Sequence, residues 1–209
     1  MYKIAENTEL LKKARQVCSA DMKSVEKILK DEYEISSQIS LVGSAKRKLI
    51  TYNGRDKNFD FDYNLTVYDG MEYDSFYLKD TVRRAFNEVM RNAGLKDVDD
   101  STSSLTSKPM FFRNDPTQTS FHTDLVIITE QYGYVHRLIH DKRKNVMYWN
   151  IAAKKSSLKY KEDILKESYW NEVRNTYVKK KNLHINDKKH HPSFNCYIEA
   201  VNEIFYKYF

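Results

Sequence analysis

Residues 41–67, which read LVGSAKRKLITYNGRDKNFDFDYNLTV, lead from an apolar pair and Gly43-Ser44 to two acids, Asp60 and Asp62. Apolar and polar side chains alternate strictly over residues 58–68, and this pattern predicts a strand with one buried face. Successive side chains of a strand point to opposite faces, so both acids project from the polar face. Adjacent carboxylates repel each other unless a cation compensates them. Mg²⁺, which takes oxygen ligands, is the cation that we expect here.

Gly43 and Ser44 follow a strand predicted at residues 35–42, and they suit the binding of a phosphate. Glycine lets the backbone approach a phosphate closely, and the hydroxyl and nearby N–H groups can donate hydrogen bonds to it. The connection at residues 45–58 carries five cations, of which Lys46 and Arg47 lie nearest to Ser44. We expect these two to contact a phosphate. The alternative is a solvated turn built on Asn53-Gly54.

A third acid, Asp124, lies in an apolar strand predicted at residues 119–129. An unpaired charge among apolar neighbours costs free energy, and a metal ion close to Asp124 would offset that cost. His122 shares the face of Asp124 by parity. We expect His122 to pack or to form a hydrogen bond rather than to bind metal.

This ordered set of motifs resembles the DNA polymerase β-like nucleotidyltransferase superfamily, over about residues 35–129. The matching segments are Val42-Gly43-Ser44, Asp60-Phe61-Asp62-Tyr63 and the strand that contains Asp124. The resemblance implies an α/β (α+β) fold, with a mixed sheet flanked by helices and a short C-terminal helical portion. It implies a site in which Asp60, Asp62 and Asp124 hold two Mg²⁺ (or Mn²⁺) ions, while Gly43, Ser44, Lys46 and Arg47 bind a nucleoside triphosphate.

The activity that the resemblance implies is transfer of an NMP group from an NTP to an acceptor hydroxyl, with release of pyrophosphate. The acceptor could be RNA, a protein, a small molecule or a second nucleotide, and the sequence does not choose among them. Two other functions remain open. One is a non-catalytic nucleic-acid-binding module, and the other is a phosphate-ester hydrolase that uses the same carboxylates.

The net charge of +6 is concentrated in one part of the chain. Residues 137–191 hold 15 Lys and Arg against 6 Asp and Glu, whereas the remainder holds 20 against 23. A basic region beside a metal-binding region suits a phosphate-rich substrate, so we expect RNA or another anionic acceptor to contact residues 137–191. The alternative is a basic surface that only keeps the protein in solution.

The length of 209 residues predicts a catalytic core at residues 1–152 and a helical portion at residues 153–209 that packs on the core. Apolar periodicity predicts helices at residues 7–33, 74–93 and 158–181, and a last helix that begins near Pro192. No membrane span or signal peptide is evident in the sequence. Cys18 and Cys196 are expected to be buried free thiols in a cytoplasmic protein. The oligomeric state is not predicted.

Overall fold

A computed structural model describes residues 1–5, 8–53, 58–113, 115, 119–152, 156–185 and 191–209. The helices in these ranges are α1 (Glu9–Tyr33), α2 (Gly43–Arg47), α3 (Ser75–Asn92), α4 (Ser156–Ser168), α5 (Trp170–Leu183) and α6 (Ser193–Tyr208). The strands are β1 (Tyr2–Ile4), β2 (Ser37–Leu41), β3 (Thr51–Asn53), β4 (Asn58–Val67), β5 (Asp99–Asp100), β6 (Leu105–Thr106), β7 (Met110–Phe111), β8 (Ser120–Gln131), β9 (Tyr134–Asp141) and β10 (Val146–Ile151). Among the described residues, no helix is both long and apolar enough to cross a membrane.

The chain divides into two compact units. The sheet unit consists of Asn7–Ile50 and Lys57–Ala153, and the helical unit consists of Met1–Glu6, Thr51–Asp56 and Lys154–Phe209. The helical unit therefore contains the short β1–β3 ribbon as well as α4, α5 and α6. That the C-terminal helices pack on the catalytic core stays a prediction.

The sheet unit is built on a mixed sheet with the order β10-β9-β8-β4-β2. The central pair, β4 and β8, is parallel, whereas β2 and β9 run antiparallel to their neighbours. The short strands β6 and β7 pair with the first half of β8, and β9 pairs with its last residues. The first half of β8, which contains Asp124, therefore lies between β4 and β6.

Alternation along β4 gives the sheet one apolar and one polar face, as the sequence predicts. The apolar face is fully buried at Phe61 and Leu65, and each such side chain stabilises the fold by about 1.5–3 kcal/mol. Helix α1 covers this face, since the Ser19 hydroxyl of α1 is 2.8 Å from the Tyr63 hydroxyl. Helix α3 packs beside α1 and begins at Asp74, whose carboxylate accepts a hydrogen bond from the backbone of Tyr77 at 2.8 Å. The acids of β4 thus point away from these helices.

Two segments of the chain differ from the sequence-based prediction. The single helix predicted at residues 158–181 is wrong, because the chain turns at Tyr169 between α4 and α5. The Tyr169 ring stacks on Tyr208 of α6 with 4.0 Å between ring centroids, a tertiary contact that local periodicity does not report. The connection predicted at residues 45–58 contains helix α2 and strand β3, which pairs with β1. The proposed turn at Asn53-Gly54 includes Gly54, which lies outside the described residues.

Candidate active site

Three carboxylates share one face of the two central strands. In the parallel register of β4 and β8, Asp62 lies opposite Asp124, and Asp60 lies opposite His122. Directly paired residues of a sheet project to the same side, so all four side chains face the same space. The register confirms that adjacent strands carry these acids on one face, whereas the prediction that all three carboxylates reach a shared metal pair is not tested by it. Their catalytic and metal-binding roles stay a prediction.

Asp62 is held by the segment that links β2 to α2. Gly43 has φ +65°, and a Cβ atom added to it would lie 1.9 Å from Oδ2 of Asp62. Only glycine allows this close approach of backbone to carboxylate. The backbone N–H of Ser44 donates a hydrogen bond to the Asp62 carboxylate, and that of Val42 donates to the Asp62 carbonyl oxygen at 2.8 Å. Gly43 and Ser44 therefore position a site carboxylate, a role that the sequence did not reveal.

Burial, followed by the charges of Asp124 and Asp60, raises the pKa of Asp62 to about 6. His122 and the Ser44 N–H oppose this shift but do not cancel it. The site therefore gathers three carboxylates, and the charges of two of them raise the pKa of the third. A bound divalent cation would oppose this shift, so the oxygen donors fit a hard metal ion.

The other two acids also have polar partners. The Thr106 hydroxyl donates a hydrogen bond to Oδ1 of Asp124 from strand β6, which pairs antiparallel with β8 at this position. His122 Nε2 lies 3.3 Å from Oδ1 of Asp60, so this histidine contacts an acid of the site, in line with the hydrogen-bonding role predicted for it. Thr106 was missed by sequence reasoning, since a two-residue strand carries no periodic signal.

Lys46 and Arg47 lie at the end of helix α2, which begins with Gly43 and Ser44. The Lys46 side chain is exposed, and Nη1 of Arg47 donates to the Gly43 carbonyl oxygen at 3.2 Å. The helix thus places both cations next to the segment that contacts Asp62. Their contact with a phosphate stays a prediction.

The basic segment at residues 137–191 is divided between the two units, since the boundary falls between Ala153 and Lys154. Several of its lysines already have protein partners. Lys166 contacts Glu162 at 3.4 Å, and Lys180 contacts Glu203 at 2.9 Å. Lys154, Lys155, Lys188 and Lys189 lie outside the described residues. Binding of RNA by this segment stays a prediction.

Solved structures with a similar fold include three bacterial cyclic dinucleotide synthases. The STING-associated CdnE c-di-GMP synthase of Capnocytophaga granulosa is 16% identical with a TM-score of 0.60, and the match covers 93% of this chain and 59% of that one. The CdnE cyclic dinucleotide synthase of Elizabethkingia meningoseptica, solved with GTP and Apcpp, is 14% identical with a TM-score of 0.57, and the match covers 92% and 70% of the two chains. The DncV cyclic AMP-GMP synthase of Vibrio cholerae is 11% identical with a TM-score of 0.59, and the match covers 95% and 57%.

At these identities the match shows the fold alone, which is a mixed sheet flanked by helices as in nucleotidyltransferases. These neighbours are members of the DNA polymerase β-like nucleotidyltransferase superfamily, so the fold predicted from the resemblance is confirmed. The chain spans 59% of the length of the Capnocytophaga protein and 57% of the Vibrio protein. No protein-family model and no curated protein sequence matches the chain.

Proposed function

We propose that the protein is a metal-dependent nucleotidyltransferase that moves an NMP group from a nucleoside triphosphate to an acceptor hydroxyl and releases pyrophosphate. The observation that carries this proposal is the common face of Asp60, Asp62 and Asp124 on adjacent parallel strands. The raised pKa of Asp62, which burial and the charges of Asp124 and Asp60 cause, supports it, because a divalent cation would stabilise the ionised carboxylates.

In this proposal Asp60 and Asp62 hold two Mg²⁺ or Mn²⁺ ions, and Asp124 binds one of them. When bound, these ions neutralise the triphosphate and lower the pKa of the acceptor hydroxyl. The Ser44 N–H and the Thr106 hydroxyl keep the carboxylates of Asp62 and Asp124 in place before the substrate arrives. Gly43, Ser44, Lys46 and Arg47 contact the triphosphate.

The transfer forms one bond and breaks one bond at the α-phosphorus. The acceptor oxygen attacks this atom in line with the bridging oxygen to the β-phosphate. That oxygen leaves with its electron pair as part of pyrophosphate. The proton of the acceptor hydroxyl passes to Asp124 or to water. No serine, cysteine or histidine nucleophile is required.

The acceptor that we favour is the hydroxyl of a second nucleotide, which makes the product a linear or cyclic dinucleotide. The support is that structural neighbours are named as cyclic dinucleotide synthases. An RNA acceptor has weaker support, because the basic segment that suggested it is divided between two units.

The test is incubation with each α-³²P-labelled NTP, singly and in pairs, with Mg²⁺ or Mn²⁺ and with or without total RNA. Pyrophosphate and a labelled dinucleotide without RNA are the expected products. Label in RNA would change the acceptor, and release of phosphate without pyrophosphate would indicate a hydrolase. RNA binding without turnover, indifferent to Mg²⁺ and to Asp62→Asn, would instead identify a nucleic-acid-binding module. Thr66→Ala, on the same face of β4, is the matched control and should keep activity.

A further inference from the structure

Two histidines and a glutamate meet where α5 ends and α6 begins, within the helical unit. His184 follows the last residue of α5, His191 precedes α6, and Glu199 lies in the second turn of α6. One nitrogen of each histidine and one carboxylate oxygen of Glu199 lie within 4.8 Å of one another. All three side chains are half-buried, so water can reach the point between them. None of them belongs to the candidate active site.

The cluster brings together three atoms that can each bind a metal ion. His191 Nε2 lies 2.8 Å from Oε1 of Glu199, and the His184 ring stacks on the His191 ring with 4.1 Å between centroids. Two stacked imidazoles stabilise each other little when both are protonated, because their positive charges repel. Two imidazoles and one carboxylate are the protein ligands of many Zn²⁺ sites that keep a fourth position for water.

The donor atoms lie near the spacing that a metal ion would impose. Bonds of about 2.0–2.1 Å at tetrahedral angles put neighbouring donor atoms about 3.3 Å apart. His191 Nε2 and Glu199 Oε1 are 2.8 Å apart, and all three donor atoms lie within 4.8 Å of one another. Metal binding would therefore require the contact between His191 and Glu199 to lengthen slightly.

Lys180 contacts the carboxylate of the cluster through the oxygen that does not contact His191. Lys180 Nζ is 3.7 Å from Oε2 of Glu199 but only 2.9 Å from Oε2 of Glu203. Lys180 therefore pairs mainly with Glu203, and Oε1 of Glu199 contacts His191. A second contact of this kind orients a metal-binding carboxylate without blocking it.

We propose that His184, His191 and Glu199 form a binding site for a divalent first-row transition metal ion, with Zn²⁺ as the occupant and water as the fourth ligand. Imidazole nitrogen selects such ions over the Mg²⁺ that the all-oxygen site in the sheet unit prefers. The ion would connect the end of α5 to α6 and stabilise the helical unit when it binds. This proposal goes beyond the proposed transferase activity and does not depend on it.

The test is titration of the chelator-stripped full chain with ZnCl₂ in the presence of excess Mg²⁺, using a competing chromophoric chelator, followed by Co²⁺ absorption spectra. We expect one Zn²⁺ per chain, a tetrahedral Co²⁺ spectrum and a higher melting temperature with Zn²⁺. His184→Gln and His191→Gln should each weaken Zn²⁺ binding at least tenfold. Glu203→Gln, one helical turn from Glu199 and paired with the same lysine, should retain it, as should His136→Gln in the sheet unit.

Equal Zn²⁺ affinity in wild type and both histidine variants would overturn the proposal. Loss of the Zn²⁺ site only in Asp62→Asn would also overturn it, because the ion would then occupy the carboxylates. If a histidine variant fails to fold, chemical modification of the wild type tests the site instead. Zn²⁺ should protect His184 and His191 from modification by diethylpyrocarbonate, mapped by mass spectrometry, and unchanged reactivity would reject the site.

Discussion

Two carboxylates of the sheet unit, Asp62 and Asp100, have opposite electrostatic surroundings. Burial and the neighbouring acids Asp124 and Asp60 raise the pKa of Asp62 to about 6. Burial also acts to raise the pKa of Asp100, but hydrogen bonds and charge from Lys79 and His140 outweigh it, so the pKa is lowered. Lys79 Nζ lies 2.6 Å from Asp100 Oδ1, and His140 Nδ1 lies 3.0 Å from Oδ2.

The difference separates a carboxylate that supports the fold from one that we expect to serve a ligand. Asp100 joins α3 to β5 and β9 through groups of opposite charge, so removal of a partner should cost stability. Asp62 meets like charge, so its negative charge should cost stability in the absence of a cation. A side chain that lowers stability where it lies is expected at a functional site.

The largest effect is expected from Asp62→Asn. The change keeps the size of the side chain but removes a charge needed to hold divalent cations, so NMP transfer should fall by about 10³-fold or more. Pyrophosphate release with labelled NTP measures this loss. Mg²⁺ with NTP should raise the melting temperature of the wild type far more than that of the variant. Full activity in the variant would place the metal site elsewhere.

Lys79→Met should destabilise the protein, in contrast to Asp62→Asn. The Lys79 side chain is only 4% exposed, and its loss removes the cation that lies 2.6 Å from Oδ1 of Asp100. We expect the free energy of unfolding, measured by urea denaturation, to fall by about 3 kcal/mol. Arg91→Met, which breaks an exposed ion pair with Asp97, is the control and should cost far less stability, because solvent screens the pair. Equal losses of stability in the two variants would mean that the buried ion pair of Lys79 supports the fold no more than the exposed pair of Arg91 does.

Gly43→Ala should separate the position of Asp62 from its charge. The added Cβ would lie 1.9 Å from Oδ2 of Asp62, so the carboxylate must move, and φ +65° adds strain. We expect about tenfold to 100-fold lower transfer activity and about 2 kcal/mol lower stability. Gly133→Ala is the matched control, because its φ is +76° but nothing lies within 4 Å of the added atom. It should lose about 1 kcal/mol of stability and no activity. A similar loss of activity in both variants would contradict a positioning role for Gly43.

The features of the site that depend on a local sequence pattern could be predicted from the sequence. Alternation along β4 placed Asp60 and Asp62 on one face, and the apolar strand around Asp124 was predicted within two residues of its observed end. The contacts of Thr106 with Asp124 and of β1 with β3 join segments far apart in the chain, and two- or three-residue strands leave no periodic signal. The backbone contact between Gly43 and Asp62 likewise depends on how β2 ends beside β4.

The smallest expected effect is a difference in how stability depends on pH, measured with divalent cations removed by EDTA. The folded-state pKa of Asp62 is about 6 against an ordinary value of 3.8, so the folded protein binds the proton more tightly than the unfolded chain. The contribution of Asp62 to the free energy of unfolding is therefore most favourable below pH 4 and is lost as the pH rises through about 6. The pKa of Asp100 is lowered, so its contribution is present above the unfolded pKa and is lost on acidification through the folded pKa.

Thermal melts of the wild type, Asp62→Asn and Asp100→Asn between pH 2 and pH 7 check these opposite signs. As the pH rises, the free energy of unfolding of Asp62→Asn should increase relative to that of the wild type. We expect a difference of about 1 kcal/mol, because water has partial access to the site and screens the charges. Asp100→Asn should fall further behind the wild type only between pH 2 and pH 4 and then keep a nearly constant deficit, because the contribution of Asp100 is fully present above its unfolded pKa. Saturating Mg²⁺ with NTP should cancel the advantage of Asp62→Asn at pH 7, since the ligand stabilises only the intact carboxylate cluster. Parallel pH profiles for the two variants would mean that Asp62 and Asp100 are both ordinary structural acids.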